Sequence, residues 1–228
     1  MKNITQEELN NKIQLHKEWL KDINKGKRLV LNGYDLSNLS LVDVNLKYVD
    51  LSGSNLSYVN FFNSNLKYAD LGNTNLFSAD LRYANLNVAY LHNSNLSYTD
   101  LENAILIDSN MSGSNLSYAD LRYANLLTAN LRNCKLDNTK LSQANINQVY
   151  GLDIYSIDNI GTFHGKVTYV PSINTVFAGC WEGNLDEFLE KGLEMNKENI
   201  KETKNIKNAY KFFHDMSMVY EVRNYDFY

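Results

Sequence analysis

Proline, cysteine and long apolar runs are scarce in this sequence, and each scarcity excludes a class of protein. The 228 residues include one proline and two cysteines, Cys134 and Cys180. Two cysteines are too few for a disulfide framework, which fits a reducing compartment. No apolar run approaches the roughly eighteen residues that a membrane span needs, and no signal-peptide core interrupts the polar N-terminus. We therefore expect a cytoplasmic protein that does not enter a membrane.

An excess of one charge is also lacking. The net charge is −4 and charged residues make up 21% of the chain, so the basic excess of a nucleic-acid binder is missing. A glycine-rich phosphate loop, a nucleophile elbow and the His or Cys spacing of a metal site are missing as well. We expect no direct binding of nucleic acid, no cofactor, no metal and no enzymatic activity.

What the chain does have is a short repeat rich in Asn, Leu and Tyr. The string ADLRYANL occurs at residues 79–86 and again at 119–126. From Leu31 to Ile146 a large apolar residue occupies every fifth position, twenty-four times without exception. From Ser64 onward a small side chain lies two positions before it, and Asp or Asn usually stands between them.

A period of five fits neither an α-helix nor a flat strand, because their side-chain periods are about 3.6 and 2. The chain must therefore turn once per repeat. If each repeat forms one side of a coil, four sides close a square turn of twenty residues. The large residue and the small residue two before it then both point inward.

These residues resemble the pentapeptide-repeat family. The resemblance implies a right-handed quadrilateral β-helix of about six coils, stacked about 4.8 Å apart. Gly and Asn alternate in one column of this coil and tolerate the left-handed conformation of a corner; they are Gly33, Gly53, Asn73, Asn93, Gly113 and Asn133. We predict three parts: an N-terminal capping helix in residues 1–28, the β-helix in 29–150, and a small α+β domain in 151–228.

The two copies of ADLRYANL lie two coils apart, so both are on one face with one coil between them. One column on this face is acidic and the next alternates in sign, so that neighbouring rungs neutralise each other. Two tyrosines come directly after the arginines on this face. A separate column holds three more tyrosines, and Ser78 occupies the fourth position of that column. The residues are Asp80, Asp100 and Asp120; Arg82, Glu102 and Arg122; Tyr83 and Tyr123; and Tyr58, Tyr98 and Tyr118.

Two interpretations of these columns stay open. In the first, the charges form a self-neutralising ladder and the tyrosines stack along exposed β-rungs, both for structural reasons alone. In the second, the same eleven residues form a partner-binding surface, because tyrosine is enriched at protein interfaces.

The N-terminal flank reads as a cap on the first coil. Thr5 and Glu8 form a capping box, and Gly26 is expected to end the helix. An apolar stripe consists of Leu9, Ile13, His16, Trp19, Leu20 and Ile23. This stripe is expected to cover a coil whose inward short positions are unusually large: Leu29, Tyr34, Leu39, Val44 and Val49.

After Ile146 the five-residue period fails. Residues 163–180 predict a β-hairpin around Pro171 to Asn174, and Asn184 with Glu187 predicts a helix to about Lys191. The polar residues 196–207 predict a loop or a weak helix. An amphipathic final helix is predicted from the spacing of Ala209, Phe212, Phe213, Met216, Val219 and Tyr220.

The whole pattern favours a non-enzymatic protein that binds and blocks or modulates a bacterial protein complex. The flanks resemble those of phage and prophage members of the family, a resemblance that implies no established activity. A bacterial enzyme and a host defence complex, which the chain would inhibit, are both candidate partners; whether the partner handles nucleic acid and whether the chain forms a homodimer stay open.

Two alternatives remain. Some family members mimic DNA and bind gyrase, but ten acids against seven bases in residues 31–150 make a weak field here. An enzyme centred on His164, Cys180 or His214 would need a spacing that brings these residues together, and none is evident.

Overall fold

The computed structural model describes residues 1–158, 166–179 and 181–225. It divides into two compact units, residues 1–151 and 152–228. Each unit is described by itself below.

Parallel backbone bridges twenty residues apart build the first unit. Four bridges fall in each twenty residues and they continue along the unit, beginning with Val30 to Asp50, Asp35 to Asn55, Ser40 to Asn60 and Asn45 to Asn65, and ending with Asn130 to Tyr150. This register is that of a β-helix with four sides to a turn. The predicted β-helix is therefore confirmed, while its right hand and its number of coils stay predictions.

The interior of the coil holds the large residues of the repeat. The side chains of Leu81, Leu86 and Leu101 are buried, and so are the small residues two positions before them, which are Ala79, Ala84 and Thr99. Several of the polar small residues donate their hydroxyl to a backbone carbonyl, as from Ser94 Oγ to the Leu71 oxygen at 2.7 Å, whereas the hydroxyls of Ser64 and Ser109 have no partner. The inward pointing of both positions is confirmed.

One residue at every corner of the coil takes a left-handed conformation. The predicted column of Gly and Asn has φ between 56° and 72°. The tyrosines share this geometry, for example Tyr83 with φ 58° and Tyr98 with φ 60°. They stand at corners and do not lie on flat rungs, which corrects the structural interpretation given above. The cause is a tight turn in which the Leu81 oxygen accepts from Ala84 N at 3.1 Å, since the third residue of such a turn needs a positive φ.

The Asp or Asn of each repeat is also part of the turn. Its Oδ1 accepts a hydrogen bond from the backbone N–H two residues later, as between Asp80 and Arg82 at 3.1 Å or Asn95 and Ser97 at 3.2 Å. This Asx turn explains the choice of Asp or Asn, and either residue can make it.

An N-terminal strand and helix cover the first coil. Strand β1 (Lys2–Asn3) pairs in parallel with β2 (Tyr34–Asp35), and helix α1 (Gln6–Lys21) begins with the predicted capping box of Thr5 and Glu8. The side chain of Gln6 exchanges hydrogen bonds of 2.8 and 3.0 Å with the backbone of Ser40. The buried residues of helix α1 are Leu9, Ile13 and His16.

The predicted end of the helix is wrong. Helix α1 ends at Lys21 and Asp22 is its C-cap, with an extended backbone. Ile23 therefore leaves the apolar stripe and is 75% exposed. Gly26, with φ 63°, lies in the following loop, where it returns the chain so that Lys27 N donates to the Leu15 oxygen at 3.0 Å.

The second unit has a four-stranded antiparallel sheet in the order β3-β4-β5-β6. The strands are β3 (Tyr155–Asp158), β4 (Lys166–Val170), β5 (Thr175–Ala178) and β6 (Trp181–Gly183). The predicted hairpin is confirmed as β4 and β5, joined by a 3-10 turn and by Asn174 with φ 44°. Strands β3 and β6 were not predicted.

Two helices pack on this sheet and differ in length from the prediction. Helix α2 (Leu185–Met195) has the capping box of Asn184 and Glu187 but continues past Lys191. Helix α3 (Ile200–Tyr225) includes most of the polar segment predicted as a loop or weak helix. Ile206 in that segment is buried beside Phe188 and Phe213, whereas the predicted stripe members Phe212 and Val219 are exposed.

Candidate functional site

The eleven candidate residues lie on one side of the coil. Left-handed corners at Tyr58 and Asn63 and at their equivalents twenty residues on bound this side. We call it the Asp–Arg face; it consists of residues 58–63, 78–83, 98–103 and 118–123. The five tyrosines, which were predicted in separate columns, stand along the two edges of this one face.

The two arginines of this face bind the aspartate of their own coil. Arg82 Nε donates to Asp80 Oδ1 at 2.9 Å and Arg82 Nη2 to Asp80 Oδ2 at 2.7 Å. Arg122 makes the same fork to Asp120, with both distances 2.8 Å. The Asx turn brings each pair together, because it fixes the two side chains on the same side of the backbone.

Weaker ion pairs connect neighbouring coils. Arg82 Nε lies 3.5 Å from Asp100 Oδ2, and Arg122 Nη2 lies 3.6 Å from Glu102 Oε2. The predicted pairing across coils is present between Arg122 and Glu102, whereas the pairing within a coil, which was not predicted, is shorter. The charges nevertheless neutralise one another across most of the face.

Asp100 is the exception, because Glu102 stands where the other two coils have Arg. Burial raises the pKa of the Asp100 carboxyl, and the nearby charges of Asp120 and Asp80 raise it further. Burial also opposes ionisation of Asp80 and Asp120, but the donors of Arg82 and Arg122 outweigh it, so the pKa of both carboxyls is lowered.

Aromatic rings form a continuous edge along one corner of the face. The rings of Tyr98 and Tyr118 stack in parallel with centroids 4.8 Å apart. Phe77 fills the gap at Ser78, with its ring 5.6 Å from both Tyr58 and Tyr98. The three tyrosines are 49–55% exposed. Sequence reasoning missed Phe77, although its position beside the gap was a usable signal.

The opposite edge carries fewer rings. Phe62 contacts Tyr83 at 5.5 Å and lies 5.4 Å from the guanidinium carbon of Arg82. Tyr123 is exposed at the equivalent corner forty residues later. The face therefore offers fixed guanidinium and carboxylate groups between two rows of aromatic rings.

A second tyrosine pair lies at another corner. The rings of Tyr48 and Tyr68 stack 5.0 Å apart, and Trp19 of the cap meets Tyr48 edge-on. Lys47 and Lys67 lie over these rings. The pair matches Tyr98 and Tyr118 in geometry but is outside the Asp–Arg face.

Little in the described residues suggests catalysis. No group of three or more His, Cys, Asp or Glu side chains among them could hold a metal ion. Separately, no helix in the described part of the chain is long and apolar enough to span a membrane. Burial raises the pKa of the Cys134 thiol to about 11, which leaves it unreactive. His164 and Cys180, two of the residues considered for an enzyme, lie outside the described residues.

Comparison with protein families identifies the repeat. The family model for pentapeptide repeats matches in eight copies over residues 54–91, 69–108, 84–117 and 109–148. A comparison with curated proteins gives no match.

Three solved structures are similar to part of this chain. HetL of Nostoc sp. strain PCC 7120, which is involved in regulation of heterocyst differentiation, is 29% identical; the alignment covers 54% of this chain and 68% of HetL, with a TM-score of 0.31. Rfr23 of Cyanothece 51142 is 28% identical over 63% of this chain and 95% of its own, with a TM-score of 0.31. QnrB1, a plasmid-mediated fluoroquinolone resistance protein, is 20% identical over 57% of this chain and 67% of its own, with a TM-score of 0.48. No TM-score among these structures reaches 0.5, and the family model matches residues 54–148.

Proposed function

Because residues 54–148 of this chain are pentapeptide repeats, we propose that it is a non-enzymatic interaction protein whose Asp–Arg face binds a bacterial protein or protein complex and blocks or modulates it. The observation that carries the proposal is the pairing of fixed arginines with stacked, exposed tyrosines on one face. Tyr and Arg dominate binding energy at protein interfaces.

The rigidity of the face supports the same proposal. Each arginine is held by a two-point hydrogen bond to its aspartate, and the row from Tyr58 to Tyr118 is held by ring contacts and by the corner turns. A surface that is already ordered loses little conformational entropy on binding. A rigid face of this kind suits the binding of a protein partner better than a flexible face would.

Affinity capture from a bacterial lysate tests the proposal. We expect the full chain to recover a specific protein that the Arg82→Ala/Arg122→Ala variant recovers about tenfold less, because interface arginines contribute about 1.4 kcal/mol or more. The matched control is Lys47→Ala/Lys67→Ala, which removes the same charge from another corner. Equal losses in both variants would argue against the Asp–Arg face.

A second candidate is mimicry of DNA, which the column of Asp80, Asp100 and Asp120 favours. Two of these carboxylates are already bound by arginine, which weakens their likeness to phosphates. The Asp80→Asn/Asp100→Asn/Asp120→Asn variant tests it, since Asn makes the same Asx turn. Mimicry predicts that duplex DNA displaces the chain from its partner and that this variant no longer binds.

The cellular setting is also part of the proposal. The flanking segments support an origin in a phage or prophage and a role against a host defence complex in the cytoplasm. Recovery of defence-system subunits in the capture experiment tests this narrower proposal separately from the use of the face.

A further inference from the structure

The second unit contains a cleft of about 430 Å³ between helix α3, the turn after β4 and the start of α2. Helix α3 lines it with one stripe of side chains that includes Tyr210, His214, Tyr220 and Glu221. Asp186 of α2 lies among the lining residues on the other side. No residue of the repeat is among the described residues that line this cleft. A function of the cleft is therefore separate from that of the Asp–Arg face.

Phenol hydroxyls in the cleft act as hydrogen-bond donors. Tyr210 donates to Asp186 Oδ1 at 2.9 Å, and Tyr169 donates to Asn174 Oδ1 at 3.3 Å. The bond to Asp186 raises the pKa of Tyr210, and burial followed by the charge of Glu221 raises the pKa of Tyr169. Both phenols are therefore neutral donors at physiological pH.

The cleft is negatively charged. Asp186 and Glu221 are its acidic groups, and no lysine or arginine is among the described residues that line it. Burial and the charge of Asp153 raise the pKa of Tyr220, so a third carboxylate acts on the same end. Aromatic rings and carboxylates placed side by side attract organic cations.

The two acidic groups lie at opposite ends of the stripe. Asp186 is bonded to Tyr210, and eleven residues of helix separate Tyr210 from Glu221, which corresponds to about 16 Å along the helix axis. A ligand that reaches both must be long and carry a positive charge at each end. We propose that the cleft binds a linear polyamine, with its ammonium groups at Asp186 and Glu221 and its methylene groups against the tyrosine rings.

Calorimetry of the full chain with spermidine at physiological salt tests the proposal. We expect one saturable site, and about tenfold weaker binding in Asp186→Asn and in Glu221→Gln, because a hydrogen bond to a charged group contributes about 1.5 kcal/mol or more. Asp186→Asn keeps an oxygen for Tyr210, so the fold is retained. Asp215→Asn removes the same charge from the same helix outside the lining and should bind as the unaltered chain does.

Three results would overturn the proposal. One is non-saturating heat, and another is equal weakening in Asp215→Asn; both indicate attraction to the acidic surface in general. The third is displacement by an equal charge concentration of Mg²⁺, which lacks the methylene groups that the rings contact. Shorter putrescine should bind more weakly than spermidine, since it cannot reach both carboxylates.

Discussion

At the scale of single residues, each repeat assigns one task to each position. The large residue fills the interior, the Asp or Asn makes the Asx turn, and the residue two after the large one takes the left-handed corner. A left-handed non-glycine residue costs about 1–2 kcal/mol, yet tyrosine occupies several corners, among them Tyr83 and Tyr98. Stacking between coils, as in Tyr98 on Tyr118, offsets part of this cost.

Aspartates at equivalent positions should differ in their effect on stability. Asp80→Asn removes the fork from Arg82 and should lower the free energy of unfolding by about 0.5–1 kcal/mol at pH 7, the upper range for an exposed ion pair. Asp100→Asn should be neutral or slightly stabilising, because burial of the charge and repulsion from Asp120 and Asp80 outweigh the 3.5 Å ion pair with Arg82 that the change also removes. Urea unfolding of both variants measures the difference.

The pH dependence follows from the directions of the pKa shifts. The lowered pKa of Asp80 means that its stabilisation is present above its ordinary pKa of about 3.9 and is lost as the pH falls through the lowered value. The raised pKa of Asp100 has the opposite sign, so its ionised form destabilises once the pH rises through it. The two variants should therefore converge in stability only once the pH has fallen below the lowered pKa of Asp80, and a difference that persists under those acidic conditions would contradict this assignment.

At the scale of elements, the cap depends on one buried histidine. His16 is fully buried, and its Nδ1 accepts from Leu29 N at 3.1 Å, while Nε2 lies toward the Lys47 carbonyl without a well-formed hydrogen bond. Burial lowers the pKa of His16, and the charge of Arg28 acts in the same direction. The neutral imidazole therefore connects α1 to the first coil.

Acid should loosen the cap before the rest of the coil. The contribution of neutral His16 is present above its ordinary pKa of about 6.5 and is lost as the pH falls from there through the lowered value. We expect the hydrogen-exchange protection of the Leu29 amide to decrease between pH 7.5 and 5.5, while that of the Leu101 amide stays constant. His16→Asn keeps an acceptor that does not titrate, so the decrease should disappear in that variant. Constant protection at Leu29 in the unaltered chain would refute this role of His16.

Elements with a local sequence signal were predictable, and those formed by tertiary contacts were not. The capping boxes at Thr5 and Asn184 are local and were found in the structure. The predicted end of α1 was wrong, because a glycine such as Gly26 is a common stop signal, whereas nothing in the sequence signals the extended conformation of Asp22. Strands β3 and β6 have four and three residues, too short for a periodic pattern, and their pairing with the hairpin forms them.

The candidate face was predicted in part for the same reason. The twenty-residue register follows from the repeat itself, so the columns containing Asp80, Arg82 and Tyr98 were assigned correctly. The position of the corners needs backbone torsions, which the period of five does not contain. The union of both tyrosine edges on one face, and the part of Phe77 in it, therefore emerged only from the structure.

At the scale of the whole molecule, the chain combines two units with separate cores. The first unit, residues 1–151, has a regular interior of large residues, and the second has a core that includes Tyr169, Phe188 and Phe213. The proposed activities are divided in the same way, with protein binding on the first unit and polyamine binding on the second. Whether the chain forms a homodimer is a prediction that light scattering tests.

The most direct test of the central claim compares the two stacked tyrosine pairs. Both pairs have nearly parallel rings about 5 Å apart, but only Tyr98 and Tyr118 belong to the Asp–Arg face. The measurement is the affinity of the captured partner for Tyr98→Ala/Tyr118→Ala and for Tyr48→Ala/Tyr68→Ala. We predict about tenfold or greater weakening in the first variant, as expected for interface tyrosines, and little change in the second. Unchanged affinity in the first variant, or equal weakening in both, would contradict the claim that the Asp–Arg face is the binding surface.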